Sequence, residues 1–156
     1  MTTHPARSFS GLLVGVCLFL SAPRAPAETV VPDSNAISAA AENFHKALAA
    51  GRADEVMALL QPDALIVEGG TVQTRDEYQT AHLGEDIAYA RAVPSRPLKV
   101  VVREEGDVGW VTSIFSAQGT FKDKTVSNLA AETMVLSKTS KGWRIRTIHW
   151  SSHHEH

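Results

Sequence analysis

Apolar residues recur at steps of three and four through Ile37, Ala41, Phe44 and Leu48, the period that lines one face of an α-helix. Asp33 or Ser34 can cap that helix and Gly51 can end it. A shorter helix is expected over about 53–60, burying Val56, Leu59 and Leu60, with Pro62 as its stop. The two helices should pair. Ala64 to Glu68 then reads as a short strand that Gly69-Gly70 turns back through Thr71-Val72-Gln73, since glycine accepts positive φ. Thr74-Arg75-Asp76-Glu77 has the residues of a capping box, in which hydroxyl and carboxylate satisfy each other's free backbone donors. A third helix starts there. A break is expected near Gly84, with resumption through Glu85 to Tyr89 until Pro94 forces extended chain.

From Arg96 onward the pattern becomes that of strands, roughly 98–104, 108–121, 126–138 and 143–151, punctuated by Glu105-Gly106-Asp107, Lys122-Asp123-Lys124 and Ser140-Lys141-Gly142. Such short connections imply antiparallel pairing. Helices first and a meander second is an α+β order. In the closing strand, strict alternation puts Trp143, Ile145, Thr147, His149 and Ser151 on one face and Arg144, Arg146, Ile148 and Trp150 on the other. The first face is the more apolar, so it is expected inside, carrying His149 into the interior.

A helix-rich first half followed by long strands ending in Gly142-Trp143-Arg144-Ile145-x-x-Ile148-His149-Trp150-Ser151-Ser152 resembles the NTF2-like superfamily, and within it the SnoaL-like and DUF4440 group of small secreted proteins. The resemblance implies a cone-shaped barrel, with N-terminal helices packed on a strongly curved antiparallel sheet. The stretch from Glu68-Gly69-Gly70 through Arg75-Asp76-Glu77-Tyr78 to His82-Leu83-Gly84-Glu85-Asp86 looks like the part of DUF4440-type proteins where a helix covers the mouth of the cone. On that likeness Tyr78, His82 and Asp86 face the cavity and Glu68 stands at its rim. It also implies pairing of subunits through the outer sheet face, where Trp150, Ile148 and Trp110 would be buried, with Ile114 and Val108 sharing the face of Trp110. A homodimer is expected.

The first 27 residues read as an export signal: Arg7, then the apolar run Gly11 to Leu20, then Ala25-Pro26-Ala27 before a cleavage point at Glu28. A run of about ten is too short to span a bilayer, which takes about 20. Cys17 lies inside that run behind Val16, a poor lipidation context. Removing 27 of the 156 residues leaves 129, enough for one domain over 28–152 and a His-rich tail over 153–156. The segment removed holds two basic and no acidic residues, so 13 basic face 17 acidic ones and the formal charge becomes −4. With no basic run, nucleic acid is excluded as an expected partner, as is a membrane once the signal is gone. No cysteine remains for disulfides, thiolate chemistry or cysteine-bound metal. A periplasmic or secreted location follows from the signal.

The last hairpin suggests a register. With Ser140-Lys141 as its turn, Lys138 faces Trp143, Leu136 faces Ile145, Met134 faces Thr147 and Glu132 faces His149. Opposed residues have Cβ atoms about 4.5–5.5 Å apart, so a carboxylate would adjoin an imidazole. Glu132 and His149 are the candidate catalytic pair for proton transfer; the alternative is a structural hydrogen bond between two buried polar groups. A one-residue bulge would put them on opposite faces. The candidate ligand pocket comprises Glu68, Tyr78, His82, Asp86, Met134, Trp143, Ile145, Thr147 and His149. Tyr78, His82 and Asp86 recur at intervals of four and share a helical face if the helix is continuous; the alternative is a solvated face. No cofactor is expected, although under a metal-binding alternative His82, Asp86 and His149, with Glu132 close by, would hold zinc or copper. His149 and His153 would be about 13 Å apart along a strand, too far to share one ion. The tail is expected to be disordered and to capture metal only weakly. The functions in contention are a small-molecule-binding pocket protein, a periplasmic metal-binding protein, and a ketosteroid isomerase-like or cyclase-like acid/base enzyme. No Ser-His-Asp arrangement, nucleophile elbow, phosphate loop or dinucleotide fingerprint is present, which argues against hydrolase, kinase and Rossmann chemistry.

Overall fold

Helix α1 (Ser34–Ala50) opens the computed structural model, which describes residues 34–154 together with Met1. The leader read over 1–27 therefore lies, Met1 apart, outside the described residues. Ile37, Ala40, Ala41, Phe44, Ala47 and Leu48 form the buried stripe of α1 that the periodicity predicts. Helix α2 (Ala53–Leu59) buries Val56 and Met57, while Leu59 is only half-buried. Strand β1 (Leu60–Glu68) begins at once, so Pro62 sits in a strand instead of ending a helix. The missing N–H of Pro62 is tolerated because β1 pairs at Leu60 and next at Leu65, leaving 61–64 out of the ladder.

Gly69 and Gly70, both at positive φ, turn β1 into β2 (Thr71–Thr74). The capping box forms: the Thr74 hydroxyl accepts from the Glu77 amide at 3.3 Å and the Glu77 carboxylate accepts from the Thr74 amide at 2.8 Å. This starts α3 (Arg75–Ala81). The break falls at His82, two residues before Gly84, and α4 runs Leu83–Ala92. No helix among the described residues is long and apolar enough to cross a membrane.

Strands β3 (Ser95–Glu105), β4 (Val108–Phe121), β5 (Lys124–Thr139) and β6 (Gly142–His154) follow as an antiparallel meander. The sheet order is β2-β1-β6-β5-β4-β3. The α+β class and the packing of helices on a sheet are as expected. The sheet is mixed rather than wholly antiparallel, because β1 runs parallel to β6, and it does not close. β6 also runs past residue 152: His153 pairs with Leu129 and His154 with Asn128, so these two tail residues are strand.

One irregularity decides what faces the helices. Val135 pairs with Thr147 and Leu136 with Ile145, so Arg146 is an extra residue in β6, a β-bulge. Its guanidinium donates to Asp63 at 2.7 Å, in the unpaired part of β1. Because side chains alternate, one inserted residue exchanges the faces beyond it. Trp143 and Ile145 point inward before the bulge, and Ile148 and Trp150 after it. The expected register holds for Lys138 with Trp143 and Leu136 with Ile145, then slips: Met134 faces Ile148, and Glu132 faces Trp150 rather than His149.

The inner face is thus built of cross-strand rows such as Ile66–Ile148–Met134–Val111 and Trp150–Glu132–Ser113–Val100. Two glycines let the helices close on it. A Cβ at Gly109 would lie 2.6 Å from the Ile37 Cδ1 of α1, and one at Gly119 would lie 2.7 Å from the Ala92 carbonyl oxygen at the end of α4. The second obstacle is backbone, which cannot rotate away. Gly119→Ala should therefore destabilise the fold by about 1–3 kcal/mol, the usual range for overpacking, as read by urea denaturation. An unchanged midpoint would show that α4 is not seated on β4.

Candidate functional site

Between α1, α4 and the inner sheet face lies a half-open cavity of about 340 Å³. Its walls are mixed: Leu48, Tyr89, Ala90, Val93, Phe115, Phe121 and Trp150 are largely apolar, and two polar groups stand among them.

The first polar group is centred on Glu132, which is only 2% exposed. The Trp150 indole Nε1 donates to its Oε2 at 2.7 Å, and His45 Nε2 lies 3.1 Å from Oε1. Alternation along β5 and β6 fixes the carboxylate and the indole on the inner face, and α1 delivers the imidazole from above. The His45 side chain remains 32% exposed, so a ligand in the cavity can meet it. Its ring also packs on Phe115, centroids 5.2 Å apart. A second cavity, of about 350 Å³, lies beyond and shares His45, Phe115 and Glu132.

The second polar group comprises Glu68, His82 and Asp86, which line the first cavity. His82 Nε2 is 3.4 Å from Asp86 Oδ1 and 3.6 Å from Glu68 Oε2. On the other side of the ring, Nδ1 is 2.9 Å from Gln73 Oε1. Tyr78 lies fully buried behind the group and donates its hydroxyl to Asp86 Oδ2 at 2.8 Å. Burial pushes the Asp86 carboxyl up, against the Tyr78 hydrogen bond and the His82 ring, which hold it down; Glu85 adds to the rise. Glu68 is raised too, first by burial and then by Asp86, with His82 opposing. Burial, then the Asp86 charge, drives Tyr78 upward, so its hydroxyl stays a donor.

Four of the residues expected at the site therefore line this cavity: Glu68, His82, Asp86 and Glu132. Tyr78 supports it from behind, and the break at His82 does not separate Tyr78, His82 and Asp86. Met134, Trp143 and Ile145 are instead core residues, 0–4% exposed, packed beneath the helices. Thr147 and His149 lie outside the cavity, contrary to expectation. The bulge at Arg146 turns both to the outer face, Thr147 beside Leu65 and His149 exposed beside Val67 and Thr133. His149 thus cannot pair with Glu132, nor join His82 and Asp86; Glu68 is the residue that stands beside those two.

His45 and Trp150 are the site residues that sequence reasoning missed. Both had a signal. His45 stands four residues after Ala41 and three before Leu48, at the edge of the buried stripe. Trp143, Ile145, Ile148 and Trp150 are spaced two, three, two, which is the mark of a bulge between two inward pairs.

Residues 37–154 match the model of the SnoaL-like domain. The chain belongs to the SnoaL-like family. Among solved structures, this SnoaL-like domain is similar to a "putative ketosteroid isomerase" from Shewanella frigidimarina. The two are 34% identical, over 74% of this chain and 94% of that one, with a TM-score of 0.70. An NTF2-like protein with a cystatin-like fold from Novosphingobium aromaticivorans is 16% identical, over 76% and 80% of the two chains, with a TM-score of 0.63. The CaMKII hub of S. rosetta is 19% identical, over 79% and 98%, at 0.69. At such identities the last two show the NTF2-like fold alone. No curated protein matches the sequence.

The register makes two substitutions diverge. Trp150→Phe leaves the buried carboxylate short of a donor and should cost about 1–3 kcal/mol. His149→Ala, on the outer face, should stay within about 0.5 kcal/mol of the parent. Urea denaturation of both variants checks this, and comparable losses would contradict the bulge.

Proposed function

We propose that this SnoaL-like domain is an exported pocket protein that binds a small, partly aromatic molecule, presenting a hydrogen-bonding group of that molecule to His45. The observation that carries the reading is the buried carboxylate of Glu132 in the wall of a cavity that also presents Leu48, Val93, Phe115 and Trp150. Taking an ion out of water costs several kcal/mol, and an apolar side chain of similar volume is commonly as stable or more so. Packing alone gives no reason for the charge. A cavity of this size, with apolar and aromatic walls and convergent polar groups, suits a small molecule. Export rests on the Arg7, apolar-run and Ala25-Pro26-Ala27 pattern.

A second reading, proton transfer on the bound molecule, is favoured by the 34% identity to the Shewanella protein and by the pairing of Glu132 with His45. Glu132 would accept the hydrogen bond of the ring and hold its orientation, and His45 would exchange the proton with the ligand. The reaction class would be movement of a proton alpha to a carbonyl. Isomerisation of a β,γ-unsaturated ketosteroid, followed by absorbance, tests this. A rate lowered about 100-fold or more by Glu132→Gln supports catalysis, and a rate no faster than buffer leaves the binding reading alone.

Self-association accompanies both readings, in altered form. Ile148 and Trp150, expected at a dimer interface, are inner-face residues, Ile148 being fully buried. The outer face still offers the row Leu65–Thr147–Val135–Trp110, with Ile114 and Val108 on the strand of Trp110. Leu65 and Val108 are 40% and 43% exposed. A homodimer through this face would cover them.

Native mass spectrometry of untagged protein from its own host reads three expectations together: a chain shortened by 27 residues, two subunits, and a retained organic ligand. His45→Ala should lose the ligand but keep the dimer; Trp110→Glu should do the reverse. A full-length product refutes cleavage, one subunit refutes the dimer, and a ligand retained equally by His45→Ala removes the proposed site.

A further inference from the structure

We propose that Glu68, His82 and Asp86 form a binding site for one divalent first-row transition metal of the zinc class, open to the cavity. The inference goes beyond the ligand reading above and does not depend on it. One donor atom from each residue can be chosen so that all lie within 4.8 Å of one another. Ligands about 2.0–2.2 Å from a common ion stand roughly 3–4 Å apart. The separations of His82 Nε2 from Asp86 Oδ1 and Glu68 Oε2, 3.4 and 3.6 Å, fall in that range.

The second argument comes from outside the trio. Gln73 faces the ring with its amide oxygen, so His82 Nδ1 carries the proton and donates. Nε2, on the opposite edge of the ring, is thereby left facing the Asp86 and Glu68 carboxylate oxygens. The three ligating atoms stand together on the cavity wall. Metal-bound histidines are held in this way, the far nitrogen donating to an oxygen that fixes ring and tautomer. Asp86 is oriented likewise: Tyr78 donates to Oδ2 and leaves Oδ1 for the centre.

Donor type points to the same class. Oxygen and imidazole donors without sulfur suit zinc, manganese, iron(II) or cobalt better than copper(I). Three protein ligands on a cavity wall leave coordination positions for water or a ligand atom, as in a catalytic rather than a structural zinc site.

Calorimetric titration of Zn²⁺ into the metal-stripped protein as it is recovered from its host tests the site. The expected result is one equivalent bound in the parent and in a variant carrying His153→Ser, His154→Ser and His156→Ser. Affinity should fall at least tenfold in His82→Ala and in Glu68→Gln, and about 10–100-fold in Gln73→Leu, which removes only the orienting oxygen. Glu68 is partly exposed at a strand end, so Glu68→Gln keeps the test valid if His82→Ala misfolds. Co²⁺ should give visible d–d absorption that His82→Ala abolishes. Binding that disappears with the tail substitutions, that persists unchanged in Glu68→Gln, or that is absent overturns the proposal.

Discussion

The extra residue in β6 is the constraint on which the interior depends. Inserting Arg146 between Ile145 and Thr147 lets the strand present apolar side chains to the helices on both sides of the bulge: Trp143 and Ile145 before it, Ile148 and Trp150 after it. Without it, Ile148 and Trp150 would point away from the helices, and His149 would be driven among them. The bulge is held on the solvent side by the Arg146–Asp63 contact, where β1 is itself out of register. Both strands are irregular at the same level. That shared irregularity lies where the parallel β1 joins the meander.

Glu132 is a consequence of that geometry. With Trp150 directly across the ladder, the carboxylate has a strong indole donor within its own sheet, and α1 needs to supply only one further group. Aromatic contacts then link the two polar groups of the cavity. His45 touches Phe115 and Phe44, Phe44 touches Trp150, Trp150 touches Tyr78, and Tyr78 touches His82. The rings form one continuous wall between a buried carboxylate and a carboxylate–imidazole cluster. Rigid aromatic packing of this kind holds polar side chains in place more firmly than exposed loops could.

Much of the fold was legible because local rules and tertiary packing agree. The α1 stripe, the Gly69-Gly70 turn, the Thr74–Glu77 capping box and the span of β4 all follow from period, turn chemistry and capping. The likeness of the chain's order of elements to SnoaL-like proteins supplied the architecture. The site was legible only in part. Glu68, His82 and Asp86 lie close in sequence, and a hairpin followed by a capped helix brings them together locally. Glu132 was recognisable as a charge on an otherwise apolar face. Trp150 was missed because a strict two-residue alternation does not register an inserted residue, and every assignment downstream of Arg146 inverts together, while His45 was missed as a polar residue at the edge of an apolar helix stripe. The parallel β1–β6 pairing was hidden for a related reason: short loops reveal hairpins, whereas pairing between strands some 80 residues apart leaves no local trace.

The hairpin between β4 and β5 turns through Lys122 and Asp123, at φ 50° and 62°, without a glycine. Left-handed backbone at such residues costs roughly 1 kcal/mol each, Asp being the more tolerant. The Lys122 ammonium reaches Glu85 on α4 at 2.6 Å, an exposed contact that salt screens and that does not offset the strain. An Asn-Gly tip would fold with less effort but would carry no cation. The chain thus sacrifices ease of hairpin closure to station a positive charge against the helix bearing Asp86, a tether whose grip slackens as ionic strength rises.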